Sequence, residues 1–205
     1  MLAWALLAGA LLFTDLPDAA TILNVPFRTQ LDGSRYARAN CGPTALSMVL
    51  AYYGVDASLW DLRVRSMQAQ HSWVSDDGGY SDAYGVFVYN LAAVAEDMGV
   101  HVSGLWRREA ARLDALCEWR ASDLRNEIAA GHPVIVQVAY RALPRHTGSW
   151  VPDDHYLVVH GLVGDDFVYS DPLGAPRELI SEPALMAAMA AASSPRVGFA
   201  ATGRS

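Results

Sequence analysis

Cysteine is scarce in this chain: Cys41 and Cys117 are the only two among 205 residues. That excludes a disulfide-stapled scaffold, and one Cys41–Cys117 bridge would consume the thiol that the rest of the sequence points to. Charge is also sparse. Charged residues make up 18% of the chain and the formal net charge is −7, which argues against nucleic acid or anionic membrane surfaces as partners. There is no phosphate loop, because Gly78-Gly79 lacks the flanking strand and helix such loops require. His71, His101, His132 and His146 show no ligand spacing with cysteines or carboxylates, so no metal site is expected. Internal repeats and low-complexity segments are absent.

A long hydrophobic run is missing too. The apolar opening Met1–Phe13 is too short to cross a bilayer. Together with Ala19-Ala20 it fits the apolar part of a secretory signal without the basic leader. An uncleaved anchor and a helix packed on the domain are the alternatives. Residues 1–20 are therefore set apart as a signal-like or anchor segment, and residues 21–202 are expected to form one domain. A secreted or cell-envelope location is expected, with the cytoplasm as the alternative, and any membrane contact would come through that opening segment.

What is present is ample apolar chain for a core, 52% of residues, and one stretch of special shape. Asn40-Cys41-Gly42-Pro43-Thr44-Ala45 runs into Leu46–Tyr53 and stops at Gly54. Proline is tolerated in a first helical turn and glycine suits the position past a helix end. The residues between are apolar nearly all round, as in a helix enclosed by its own protein. Cys41 then sits at the helix N-terminus, where unpaired N–H groups and the helix dipole favour negative charge. A plain buried cysteine is the competing reading; Cys117, in a helical-looking stretch, is read that way.

Residues 22–30 read as an extended segment with Pro26 at an edge. Ser58 is a candidate N-cap for a helix through about Gln70, and residues 71–85 read as a loop. Helical spacing returns over Val86–Met98, followed by a strand over Val100–Leu105. Residues 107–130 read as helical with a break near Ala121-Ser122. Strands are expected over Val134–Tyr140, His155–Leu162, Phe167–Asp171 and Arg196–Ala200, with a helix over Glu182–Ala192. Helices first and strands second make an α+β domain.

Gln30, Cys41, His155 and Asp171 occur in the chain order of a thiol acyl-transfer site. Alternation places His155 with Leu157 and Val159 on one face, and His160 on the other. A three-residue turn at 163–165 would set Asp171 opposite Leu157, on the face of His155; a two-residue turn at Gly164-Asp165 would send it to the wrong face. Asp153 and Asp154 read as solvated loop charges, with Asp154 near enough to touch substrate.

Five pieces in order, Asn24-Val25-Pro26 with Gln30, Asn40–Ala45, Gly131–Val136, His155–Val159 and Ser170-Asp171-Pro172, resemble the bacteriocin-processing, or double-glycine leader, cysteine peptidases and their free-standing relatives. The resemblance implies a papain-like fold, with the buried Cys helix packed on a C-terminal antiparallel sheet. It implies Cys41 as nucleophile, His155 as base, Asp171 as its orienting partner and Gln30 in the oxyanion hole. The implied activity is hydrolysis of a peptide or protein substrate without metal or organic cofactor. The free-standing subgroup fits better, since neither a transporter nor an ATPase follows. Acyl transfer to an amine, cell-wall peptide amidase activity and a non-catalytic peptide-binding module are the alternatives on the same residues.

Overall fold

The computed structural model describes residues 20–70, 85–109, 112–149 and 154–205. The opening segment up to residue 19, the loop expected over 71–85 (except residue 85) and Asp153 lie outside the described residues. In chain order the elements are β1 (Thr21–Ile22), α1 (Cys41–Tyr52), α2 (Leu59–Ala69), α3 (Val88–Asp97), β2 (Val100–Ser103), β3 (Trp106–Glu109), β4 (Arg112–Leu116), α4 (Ala121–Ala129), β5 (Val134–Ala139), β6 (Asp154–Val163), β7 (Asp166–Ser170), β8 (Glu178–Ser181), α5 (Glu182–Ala190) and β9 (Gly198–Arg204). Among the described residues no helix is long and apolar enough to cross a membrane.

The larger sheet is antiparallel in the order β2-β9-β5-β6-β7-β8, with β1 added to β6 beyond the end of β5. Alternation sends its side chains into two cores. Ile135, Tyr156, Val158 and Phe199 pack with Leu46, Met48, Leu50 and Leu91 from the N-terminal helices. Val134, Val136, Leu157 and Val159 pack with Leu124, Ile128, Leu185 and Met189 from α4 and α5. Helix α1 lies against β6, α2 and α3 at once, and every residue from Cys41 to Leu50 is buried. This is why its apolar residues run all round rather than along one stripe. Gly42 allows the close approach, since a Cβ there would lie 3.0 Å from Leu91 and 3.3 Å from Tyr156.

Two expectations need correction. The helix expected from residue 107 begins only at Ala121; Trp106–Glu109 and Arg112–Leu116 form the antiparallel pair β3–β4 instead. Alanine, leucine, arginine and glutamate favour helix locally, but propensity is a weak prior that tertiary structure overrides. Here the pair is closed at its base. The Cys117 N–H donates to Leu105 O at 2.9 Å, and the Trp119 indole donates to Gly104 O at 2.9 Å and Gly198 O at 3.0 Å. The N-cap of α4 is accordingly Arg120, whose N–H donates to the Asp123 carboxylate, and not Ser122. Gly104 has φ +75°, and a Cβ on it would meet Trp119 at 2.3 Å. Gly104→Ala is therefore expected to destabilise the fold by about 3 kcal/mol in urea unfolding.

The second correction concerns register. The β6–β7 turn has two residues, Val163 pairing with Asp166, which alone would carry Asp171 to the wrong face. A β-bulge between Val159 and Gly161 inserts one extra residue, His160, and shifts the remaining pairs to Val159–Tyr169 and Val158–Ser170. Continued by one residue, that register sets Asp171 opposite Leu157, as a three-residue turn would have done.

Candidate active site

The turn ahead of α1 is a 3-10 segment, Ala37–Ala39, followed by Asn40 and Cys41. Cys41 is the first residue of the helix, so its N–H has no partner within it. Two side chains hold this turn. Arg63 of α2, fully buried, donates to Asn40 Oδ1 at 3.0 Å and to Ala39 O at 3.4 Å, and its guanidinium lies 4.4 Å from the Tyr36 ring centroid. Gln30, buried, donates from Nε2 to Ala37 O at 2.8 Å, and its N–H donates to Pro172 O at 2.9 Å. Gln30 thus ties the approach to Cys41 to the loop immediately after Asp171. Its Oε1 is buried without a hydrogen-bond partner.

On the sheet side, His155 and Asp171 are 2% and 0% exposed, and His155 Nε2 lies 2.7 Å from Asp171 Oδ1. The Leu173 N–H donates to the same oxygen at 2.8 Å, and the Tyr140 hydroxyl donates to Oδ2 at 3.2 Å. With Nε2 engaged by the carboxylate, Nδ1 is the ring nitrogen left for Cys41, whose side chain acts on the imidazole both as hydrogen-bond partner and as charge. Cys41 is 7% exposed, and neither it nor Cys117 is in a disulfide. The structure therefore brings Cys41, His155 and Asp171 together, and Gln30 is hydrogen-bonded to the turn ahead of Cys41 and to the residue after Asp171.

Burial alone would push the His155 pKa down, but the bonds and charges of Asp171 and Cys41 outweigh it and raise it to about 9. Asp171 shows the mirror image. Burial would raise its pKa, yet the bond and charge of His155 and the Leu173 N–H hold it below the usual carboxylate range. The pair is an imidazolium–carboxylate at neutral pH. Burial, with the charge of Asp171, pushes Tyr140 up, so its hydroxyl keeps its proton and remains a donor.

Other residues fall outside this group. His160, on the bulge, is buried with Nε2 3.0 Å from Ser170 Oγ, and burial lowers its pKa. His132 pairs with Glu127 at 2.7 Å and His101 with Glu96 at 3.3 Å. Asp154, expected as a solvated charge, is instead tied down: its carboxylate accepts from Gln137 Nε2 at 2.6 Å and from the Ser193 N–H and hydroxyl. A cavity of about 530 Å³ beside Cys117, Trp119 and Arg196 shares no residue with the Cys41 group.

Tyr140, His146 and Arg63 were not anticipated as neighbours of these residues. For Tyr140 a signal existed. Val138 pairs with His155 across β5 and β6, so the next residue of that parity on the β5 side is Tyr140. Arg63 and His146 arrive from elements whose packing is not readable from spacing.

The α+β fold brings a thiol, an imidazole and a carboxylate together at the head of a buried helix, an arrangement suited to thiol acyl transfer. Residues 22–187 match the model of the Peptidase_C39 like family, and the chain belongs to that family. Among solved structures, one described as a C39-like peptidase from Bacillus anthracis superposes with a TM-score of 0.65 at 19% identity, covering 92% of this chain and 100% of that one. The peptidase domain of Streptococcus ComA, a bi-functional ABC transporter involved in a quorum-sensing pathway, gives 0.51 at 18% identity, covering 86% and 95%. A double glycine motif protease from an AMS/PCAT transporter, solved with its leader peptide, gives 0.48 at 20% identity, covering 87% and 90%. No protein of curated function matches the chain.

Proposed function

We propose that the chain hydrolyses peptide bonds through Cys41 as nucleophile, His155 as acid and base, and Asp171 as the group that orients the ring. The Cys41 N–H and the Gln30 side-chain amide serve as oxyanion donors. The observation that carries this reading is the division of the imidazole, with Nε2 held by Asp171 at 2.7 Å and Nδ1 left to the sulfur. The proton from Cys41 rests on His155, and the sulfur attacks the substrate carbonyl carbon. The C–N bond then breaks, the leaving amine takes the proton from His155, and a thioester remains on Cys41. Neutral His155 takes a proton from water as the hydroxide adds to the thioester. The C–S bond breaks, releasing the acid, and the proton is shared again between His155 and Cys41.

The oxyanion role of Gln30 is supported by its fixed position. One amide hydrogen is committed to Ala37 O, and the backbone is pinned by Pro172 O, leaving the second amide hydrogen for a ligand. Gln30→Ala is expected to lower kcat by roughly 10²–10³-fold with a smaller change in KM, as loss of one oxyanion donor does. Steady-state kinetics with a cleaved peptide check this.

The function itself is tested by incubating the purified chain with a diverse peptide pool and mapping cut bonds by mass spectrometry. Cleavage absent from the Cys41→Ala control, with labelling of Cys41 by a thiol-directed electrophile that is lost in His155→Ala, is the expected result. Equal cleavage by both proteins would contradict it.

A further inference from the structure

Asp171 has a histidine on each side. His155 Nε2 lies 2.7 Å from Oδ1, and His146 Nε2 lies 3.6 Å from Oδ2, just beyond hydrogen-bonding reach. The His146 nitrogen is buried and has no hydrogen-bond partner. Tyr140 stands among all three. Its hydroxyl donates to Oδ2 at 3.2 Å, its ring stacks on His146 at 4.3 Å and 21°, and it meets His155 edge-on at 4.7 Å and 66°. Among the described residues, the other charged or titratable groups acting on this cluster are Cys41, beyond His155, Tyr169, whose hydroxyl donates to Glu178, and Glu178 itself, which lies 3.6 Å from Arg145. Gly174 also packs on the carboxylate, so closely that a Cβ would sit 2.8 Å from Oδ2.

We propose that Tyr140 is a positioning residue that holds the Asp171 carboxylate on His155 and away from the competing imidazole of His146. The inference rests on the roles proposed above for Cys41, His155 and Asp171. A carboxylate oxygen buried without a donor is costly, on the order of 1–3 kcal/mol, so Oδ2 must find a partner. With the Tyr140 hydroxyl present the demand is met without moving Oδ1. Without it the unpartnered His146 nitrogen is the donor within reach, and a turn of the carboxyl group toward it draws Oδ1 off His155.

The test uses the whole chain as wild type, Tyr140→Phe, and Tyr140→Phe with His146→Leu. Phenylalanine keeps the ring and its stacking and removes one oxygen. Two readouts are taken: the pH dependence of kcat/KM on a cleaved peptide, and the NMR titration of the His155 ring without substrate. In Tyr140→Phe the alkaline limb and the His155 midpoint are expected to fall by about one pH unit, with kcat down about tenfold and KM little changed. In the double variant, where the competitor is gone, both are expected to return most of the way. Tyr140 acting as mere packing would move thermal stability but neither titration. A His155 midpoint unmoved by Tyr140→Phe, or one that stays shifted in the double variant, overturns the proposal. Absence of Cys41-dependent cleavage in the wild type would overturn the peptidase roles instead, and the substrate-free titration would still decide the part played by Tyr140.

Discussion

Replacing Cys41 by alanine is expected to lower kcat/KM on any cleaved peptide by about 10⁵-fold or more, the scale at which removal of a covalent nucleophile acts. Nothing else among Gln30, His155 and Asp171 can form the acyl intermediate, so what remains is binding and oxyanion stabilisation alone. The fold should barely notice. Cys41 makes no disulfide, and although it is part of the buried core, alanine is a good helix former that removes only one sulfur atom there. Cys41→Ser is the sharper variant: it keeps the shape and a hydroxyl, yet is expected to be almost as inactive, because a hydroxyl is a far weaker nucleophile beside the same base. Progress curves, with thermal melts of both variants beside the wild type, check the result. A Cys41→Ala protein that still cuts at an appreciable rate would remove the thiol from the mechanism.

Asp171 carries the second large effect, and it reaches stability as well as rate. The carboxylate is fully buried and accepts from His155, Leu173 and Tyr140. Asp171→Ala leaves those donors without an acceptor in a closed site and is expected to cost about 3 kcal/mol of stability together with nearly all activity. Asp171→Asn keeps the shape and one acceptor oxygen but removes the charge. Its kcat is expected to fall by roughly 10³–10⁴-fold with a smaller loss of stability, since the imidazolium is no longer compensated. The pH dependence of stability separates the two contributions. The His155 pKa is raised from 6.5 to about 9, so its stabilisation is fully present below about pH 6.5 and is lost as pH climbs through 9. Asp171 is shifted the other way, so its stabilisation is present above its ordinary value of 3.8 and disappears as pH falls below it. The His155–Asp171 bond enters both shifts and counts once; with the contribution of Cys41 to His155 the total is on the order of 3 kcal/mol. Urea unfolding of the wild type from pH 6 to 10 should show that loss, and Asp171→Asn should show less of it.

Much of this was legible before any coordinates. The Cys41 helix could be read because Pro43, Gly54 and an unbroken apolar sequence all point to the same buried element, and local and global preferences agree there. Strands β2, β5, β6, β7 and β9 were readable for the same reason, whereas β8 was not expected. The β3–β4 pair was not readable, because arginine, alanine and leucine prefer helix, while the seat of Trp119 on Gly104 and Gly198 and the Cys117–Leu105 bond belong to tertiary structure. The facing of Asp171 was left open between two turn lengths, and the two-residue turn that forms would alone have given the wrong face. A bulge at His160 restored the register, and alternation of side chains carries no mark of a bulge. Arg63 and His146 lay out of reach because they arrive at the site by packing between elements, which periodicity does not encode.

The convergence of sulfur, imidazole and carboxylate is tested most directly by the ring titration of His155 in the wild type, in Cys41→Ala and in Asp171→Asn. A midpoint near 9 in the wild type that drops in both variants is the predicted result. A wild-type midpoint near 6.5 that neither substitution moves would mean the three groups do not meet.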